Sequence, residues 1–331
     1  MSMTKKLDIT FPPPLRSYLP IAIISSIITA NTRNEDWILN NFIQLFIPEG
    51  RNKLESFPFQ DFMYFDQSLI RVNRVILKED ELNAEQLLSS ILYNLEIGNY
   101  IVLYADESRL KGVRHYQRAP ILHSQFIFGY NNSKQIFYVM NFLKSTSDFG
   151  IIEISYMELI NAFICHDVEK SIRNFGELHK MYAITPTVKK DSFYNLGINR
   201  EYIMNYLYQY FHGINSSEYT AYFTGGLDGA WGVNIYSKIL GYIEKCESYI
   251  DRRMFYVLNE HKIYMRKRFE YLQLWDLAKQ YDEIIHISTV LKNLCLQYNC
   301  RPSNKTKSFI RNKSAQLYKL EKDLGSQIEY K

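Results

Sequence analysis

Hydrophobic and polar positions follow two different periods along this chain. Between residues 100 and 155 apolar and polar residues run in short strand-length blocks: 100–105, 124–130, 135–140 and 149–155, with MYAITPTV (181–188) as a fifth. Beyond about residue 196 the period becomes helical, in REYIMNYLYQYFHG, VNIYSKILGYIEKCESYI and a long run from Arg252 to Tyr298. RPSNKTKSF (301–309) breaks that pattern, and SAQLYKLEKDL closes the chain as a last helix. Ahead of the strands, YLPIAIISSIITA (18–30) predicts a buried helix, and Asn34-Glu35-Asp36 introduces a second, WILNNFIQLFI. Asn83 caps AEQLLSSILYNLEIG, whose Leu87, Leu88, Ile91, Leu92 and Leu95 share one face, and Gly98 stops it. Ser155 and Glu158 make an S-x-x-E box that opens the helix YMELINAFI.

These elements predict an α+β chain: residues 1–195 form a domain with a small, mainly antiparallel sheet, and residues 196–331 form a mainly helical domain. At 331 residues, 47% hydrophobic and 22% charged, the composition is that of a globular protein with a sizeable core. The apolar run at 18–30 is too short to span a bilayer, so no membrane role is expected. Asp8 and Pro12-Pro13-Pro14 ahead of it make a poor leader sequence. The net charge of +4 does not demand a nucleic acid. Residues 241–331 carry 17 Lys and Arg against 11 Asp and Glu, which suits an acidic protein partner, and no helix-turn-helix or zinc-finger pattern accompanies them.

Cys165, Cys246, Cys295 and Cys300 form no CxxC or other metal-ligand spacing, so no metal or resident cofactor is expected and a cytoplasmic, reduced chain is the simple reading. The helix NEHKIYMRKRF sets Glu260, His261, Lys262, Arg266, Lys267 and Arg268 close together. It reads as a solvated basic face, with His261 partly buried beside Leu258 and Met265. TGGLDGAWG lacks both phosphate-loop spacings and reads as a turn or pocket lip, where Trp231 is a candidate groove lining.

The chemistry concentrates between Gly98 and Asn141. His123 opens one strand, SQFIFGY, and Asn141 ends the next, QIFYVM. A histidine and an Asn at matching ends of adjacent strands is how papain-like folds hold an imidazole beside its orienting partner. The loop between the first two strands, DESRLKGVRHYQRAP, carries Arg109, Lys111, Arg114, His115 and Arg118. It is either a solvated hairpin loop or a contact for a phosphate or an acidic protein face.

The strand–loop–"H…GY"–turn–strand–"N"–helix series, together with GVNIYSKILGYIEK and IDRRMFYVLNEHKIYMRKRFEYL, resembles the butirosin-biosynthesis acyltransferase-like family over about residues 15–275. That family is related in fold to double-glycine-type cysteine peptidases. The resemblance implies a papain-like cysteine-peptidase fold and, in bacterial peptide or polyketide secondary metabolism, acyl transfer or amide-bond formation on carrier-bound thioesters. An acyl- or peptidyl-carrier protein is then the partner, and its phosphopantetheine thioester the only cofactor-like group. The alternative is a non-catalytic relative that holds a carrier protein or peptide. His123 matches the family histidine and Asn141 the position often occupied by Asp. The family cysteine falls on Tyr18, or with a shift of one on Ser17, and neither is a thiol. A serine hydroxyl is the poorer nucleophile and needs a stronger base.

Overall fold

The computed structural model describes residues 3–32, 35–51, 53–57, 69–75, 83–146, 148–164, 181–187, 197–219 and 228–328. In chain order the elements are β1 (Thr4–Lys6), α1 (Leu19–Thr32), α2 (Asp36–Asn41), β2 (Gln44–Pro48), β3 (Glu55–Phe57) and β4 (Ile70–Val75). Next come α3 (Ala84–Glu96), β5 (Tyr100–Asp106), β6 (Leu122–Asn131), β7 (Ile136–Phe142), β8 (Phe149–Ser155), α4 (Tyr156–Ile164) and β9 (Met181–Pro186). The remainder is α5 (Arg200–His212), β10 (Gly229–Trp231), α6 (Ile235–Lys245), α7 (Arg253–Tyr271), α8 (Trp275–Cys300) and α9 (Asn304–Gly325).

The chain is α+β and divides into two compact units. One comprises Met1–Asn34 and Asp61–Tyr194, the other Glu35–Gln60 and Asn195–Lys331. The division expected at 195/196 put residues 35–60 with the sheet; their contacts put them with the helices.

The first unit holds an antiparallel sheet of seven strands in the order β4-β9-β5-β6-β7-β8, with β1 added to β6. Alternation gives the sheet two different faces. Ile101, Leu103, Ala105, Ile127, Phe137, Val139 and Ile154 face Leu87, Ile91 and Leu95 of α3 and Leu159 and Phe163 of α4. Each fully buried aliphatic side chain of this kind contributes about 1.5–3 kcal/mol. On the opposite face Tyr100 stacks on Phe126 at 5.7 Å, and α1 reaches that face through Asn31, whose amide donates to the Tyr100 hydroxyl at 3.4 Å. A β-bulge between Ile127 and Gly129 re-aims the end of β6. Gly129 is required there, because a Cβ would lie 2.4 Å from the Lys5 carbonyl oxygen of β1.

Local signals fix several ends. The Asn83 side chain accepts from Gln86 N at 2.8 Å, and Gly98 leaves α3 at φ +93°. The Ser155 hydroxyl accepts from Glu158 N at 3.2 Å. The other half of that box is diverted, since the Glu158 carboxylate takes the backbone N–H of Lys111.

The second unit corrects four expectations. WILNNFIQLFI is not one helix: α2 ends at Asn41, and Gln44–Pro48 is a strand between β10 and β3. Its branched and aromatic residues suit a strand buried on both faces. The polar break is confined to Arg301–Ser303, because Ser303 caps α9 by accepting from Thr306 N at 3.1 Å. Trp231 is a packing residue: it is 3% exposed and stacks on Phe46 of β2 at 4.6 Å. Residues 224–227 of its loop lie outside the described residues.

The fourth correction is the largest. The "basic face" of α7 is the centre of the core, with His261, Lys262 and Arg268 fully buried. Lys262 Nζ lies 2.8 Å from Glu321 of α9 and donates to the Tyr210 hydroxyl at 2.6 Å. Glu321 also accepts from Tyr236 at 2.7 Å, Tyr281 at 2.8 Å and Tyr210 at 3.1 Å. Burial, reinforced by the Glu321 charge, pushes all three tyrosines well above their ordinary range, so they remain donors. Arg268 donates to the Leu39 and Phe42 carbonyls at 2.6 and 2.9 Å, closing the C-terminus of α2. His261 Nε2 donates to the Ile43 carbonyl at 2.6 Å. Burial and the Lys262 charge hold that ring well below its ordinary range, which keeps it neutral.

Removing one member of a buried ion pair strands the other, at about 3–5 kcal/mol. Glu321→Ala should therefore cost about that much in urea unfolding, while the double replacement Glu321→Leu with Lys262→Met should cost less than the single. All three tryptophans, Trp37, Trp231 and Trp275, belong to the second unit, so tryptophan fluorescence reads its unfolding directly.

Candidate functional site

β5 ends in a carboxylate, Asp106, and a second, Glu107, follows directly; both are buried at 1% exposure. Asp106 ties the two ends of the following loop together: one of its oxygens accepts from Ser108 N at 3.0 Å and Ile121 N at 3.2 Å. Its other oxygen lies 3.3 Å from the Arg109 guanidinium. Glu107 begins a single 3-10 turn, Glu107–Arg109, and its side chain turns back to the α3/α4 face of the sheet.

The sheet register determines what it meets there. Ala105 pairs with His123 and Leu103 with Gln125, and Asn141 lies beside Gln125 on the next strand. His123 Nδ1 is 2.8 Å from Glu107 Oε1, and Asn141 Nδ2 donates to the same oxygen at 2.9 Å. Gln125 Nε2 reaches that oxygen at 3.4 Å, and its Oε1 accepts from Asn141 at 2.7 Å. His115, arriving from the loop, sets its Nδ1 at 2.6 Å from Glu107 Oε2.

Asn141 therefore does not orient His123 directly. Glu107 stands between the two and takes the orienting role, with Asn141 holding Glu107 in place. Chain order could not reveal this, because Glu107 follows Asp106 at the head of a loop and reads as one more solvated acid. The available signal was an Asp-Glu pair directly after an unbroken apolar strand, YIVLYA, with two histidines within sixteen residues.

Burial raises the Glu107 carboxyl, but the hydrogen bond and charge of His123, with further hydrogen bonds from His115 and Asn141, outweigh it. The net position is about 2, against an ordinary 4.5. Glu107 is therefore ionised at neutral pH. An ionised carboxylate only accepts, so both Nδ1 atoms carry hydrogen, and Nε2 is the ring atom left for proton exchange. The two rings are 28% and 34% exposed, whereas the carboxylate is sealed. The result is a base–orienter pair of the kind used for proton transfer.

Ser17 and Tyr18 precede α1, which packs on the Tyr100 face, whereas His123, Gln125 and Asn141 project from the other face. Ser17 is buried, and the hydrogen bonds of the His123 ring go to Glu107 rather than to either residue. Of the cysteines, Cys246 and Cys295 are buried and Cys300 is exposed; Cys165 lies outside the described residues. Among the described residues, no group of three or more His, Cys, Asp and Glu is placed to hold a metal ion, and no helix is long and apolar enough to cross a membrane. A groove of about 900 Å³ in the second unit, lined by Arg200, Tyr202, Leu274, Leu277 and Ile328, contains no comparable acid–base pair.

No protein-family model matches the chain, and no curated protein matches it significantly.

A carboxyl held low in the folded state stabilises the fold above its unfolded value, and that contribution is lost as the pH falls through its folded value. The melting-temperature advantage of the wild type over Glu107→Gln should accordingly be full above about pH 5. It should shrink between about pH 4.5 and 2, from a contribution on the order of 3 kcal/mol. A pH series of calorimetric melts measures it, and an advantage that grows on acidification would contradict the assignment.

Proposed function

We propose that the first unit is a papain-like acyl-transfer domain in which His123 acts as general base and Glu107 as its orienting carboxylate. The reaction is amide-bond formation from a carrier-bound thioester. One observation carries the proton-transfer role: the His123 Nδ1 bond to a sealed, ionised carboxylate at 2.8 Å, which leaves Nε2 to meet substrate. The acyl chemistry rests on the sequence resemblance. Asn141 and Gln125 position the carboxylate.

The attacking group comes from the substrate. No cysteine precedes Cys165 in this sequence, and the His123 ring is hydrogen-bonded to Glu107. An acceptor amine attacks the thioester carbonyl, His123 Nε2 removes its proton, and the C–S bond breaks to release the thiol. No acyl-enzyme is formed. The partner is an acyl- or peptidyl-carrier protein.

The second reading is a non-catalytic module that holds the carrier protein or peptide, and the missing thiol is the observation that favours it. An acyl-pantetheine thioester offered with a primary amine separates the two. His123→Gln should lower turnover by about 10²–10⁴ with little change in melting temperature. Mass spectrometry should find no acyl group on Ser17. A His123→Gln rate equal to wild type removes the base. Wild-type protein that binds the carrier without turnover establishes the module instead.

A further inference from the structure

We propose that His115 is a second catalytic imidazole, the acid that protonates the leaving group, and that the site therefore accepts oxygen esters as well as thioesters as acyl donors. This rests on the reading of His123 as the base.

The two oxygens of Glu107 are divided between two rings, Oε1 to His123 at 2.8 Å and Oε2 to His115 at 2.6 Å. The anion is buried and both rings are partly exposed, so one carboxylate and two hydrogen bonds set the spacing of the two imidazoles. His115 is also held from both sides. Arg114 N donates to the Phe142 carbonyl at 2.9 Å, Val113 bridges to Leu143, and Tyr116 N donates to the Val113 carbonyl at 3.1 Å. The Lys144 ammonium sits 4.7 Å over the Tyr116 ring. The loop thus presents His115 from a backbone fixed to the end of β7, the strand that carries Asn141.

Charge and chemistry then assign the roles. Moving one proton in and another out needs one ring neutral and the other protonated, and a single carboxylate holds both rings. A thioester needs only the neutral one, because a thiol with a pKa near 8.5 leaves readily as thiolate. An alkoxide is far more basic and must be protonated as it departs. A second imidazole on the same carboxylate supplies that proton.

The step balances as follows. The amine nitrogen bonds to the acyl carbon, and its proton passes to His123 Nε2. The C–O bond breaks with its electron pair on oxygen, and that oxygen takes the Nε2 proton of His115. The products are an amide and an alcohol. The proton gained by His123 and the one lost by His115 are restored through solvent at the two exposed rings.

His115→Asn provides the test, because its amide nitrogen can keep a hydrogen bond to Glu107 while no acid remains. With one amine acceptor, the donors are an acyl-pantetheine thioester, the matching p-nitrophenyl ester and the matching ethyl ester. In the variant the ratio of ethyl ester turnover to thioester or p-nitrophenyl turnover should fall about 100-fold. His123→Gln should lose all three donors together. Equal losses on every donor in His115→Asn, or no loss on any, overturn the acid role. So does wild-type protein that uses the thioester but not the ethyl ester, and that result leaves the base reading standing. If His115→Asn melts well below wild type, His115→Gln is run against the same three donors, and the ratio of ethyl ester to thioester turnover decides.

Discussion

The first unit turns on one sealed negative charge. Glu107 sits where β5 gives way to a loop, and its carboxylate collects β6 through His123 and Gln125, β7 through Asn141, and the loop itself through His115. A buried carboxylate is costly unless its lone pairs are filled. Here every one of these donors comes from a different turn of the register. The same bonds that satisfy the charge also hold three strands and a loop in the arrangement that the proposed proton-transfer site would use. Structure and chemistry share a single constraint: the loop cannot move away without unpairing an anion.

The second unit solves the same problem by the opposite means. Glu321 is equally buried, but it is surrounded by Lys262 and three tyrosine hydroxyls, with no exposed ring and no open face. A charge with only internal donors serves packing and specificity. A charge whose donors are themselves half-exposed can transmit its effect to a substrate. The contrast is what directs attention to Glu107 rather than to the larger network.

Elements whose signals are local were legible from the chain. Asn83 and Gly98 bracket α3, Ser155 opens α4, and the blocks at 100–155 give the strands, because capping and alternation act within a few residues. The nearness of His123 and Asn141 was legible, but the direct pairing expected of them is not what the structure has. Glu107 was not legible, since its role depends on a register spanning three strands. Nor were His261, Lys262 and Arg268. A charged residue on a helix looks solvated unless its partner is known, and theirs lie in residues 38–43 and at Glu321. IQLFI failed for a related reason: a short apolar run fits either period, and only β10 and β3 on its two sides decide for a strand.

Arg268 closes α2 at Leu39, and 229 residues of chain separate the two. A ribosome adding roughly 5–20 residues each second needs about 10–50 seconds to cross that interval. For most of it FIQLFI has been synthesised and neither β10 nor α7 has yet been made. The helical unit can therefore be completed only after Arg268 and Glu321 have been synthesised. During synthesis residues 42–47 are the natural footing for a holding chaperone.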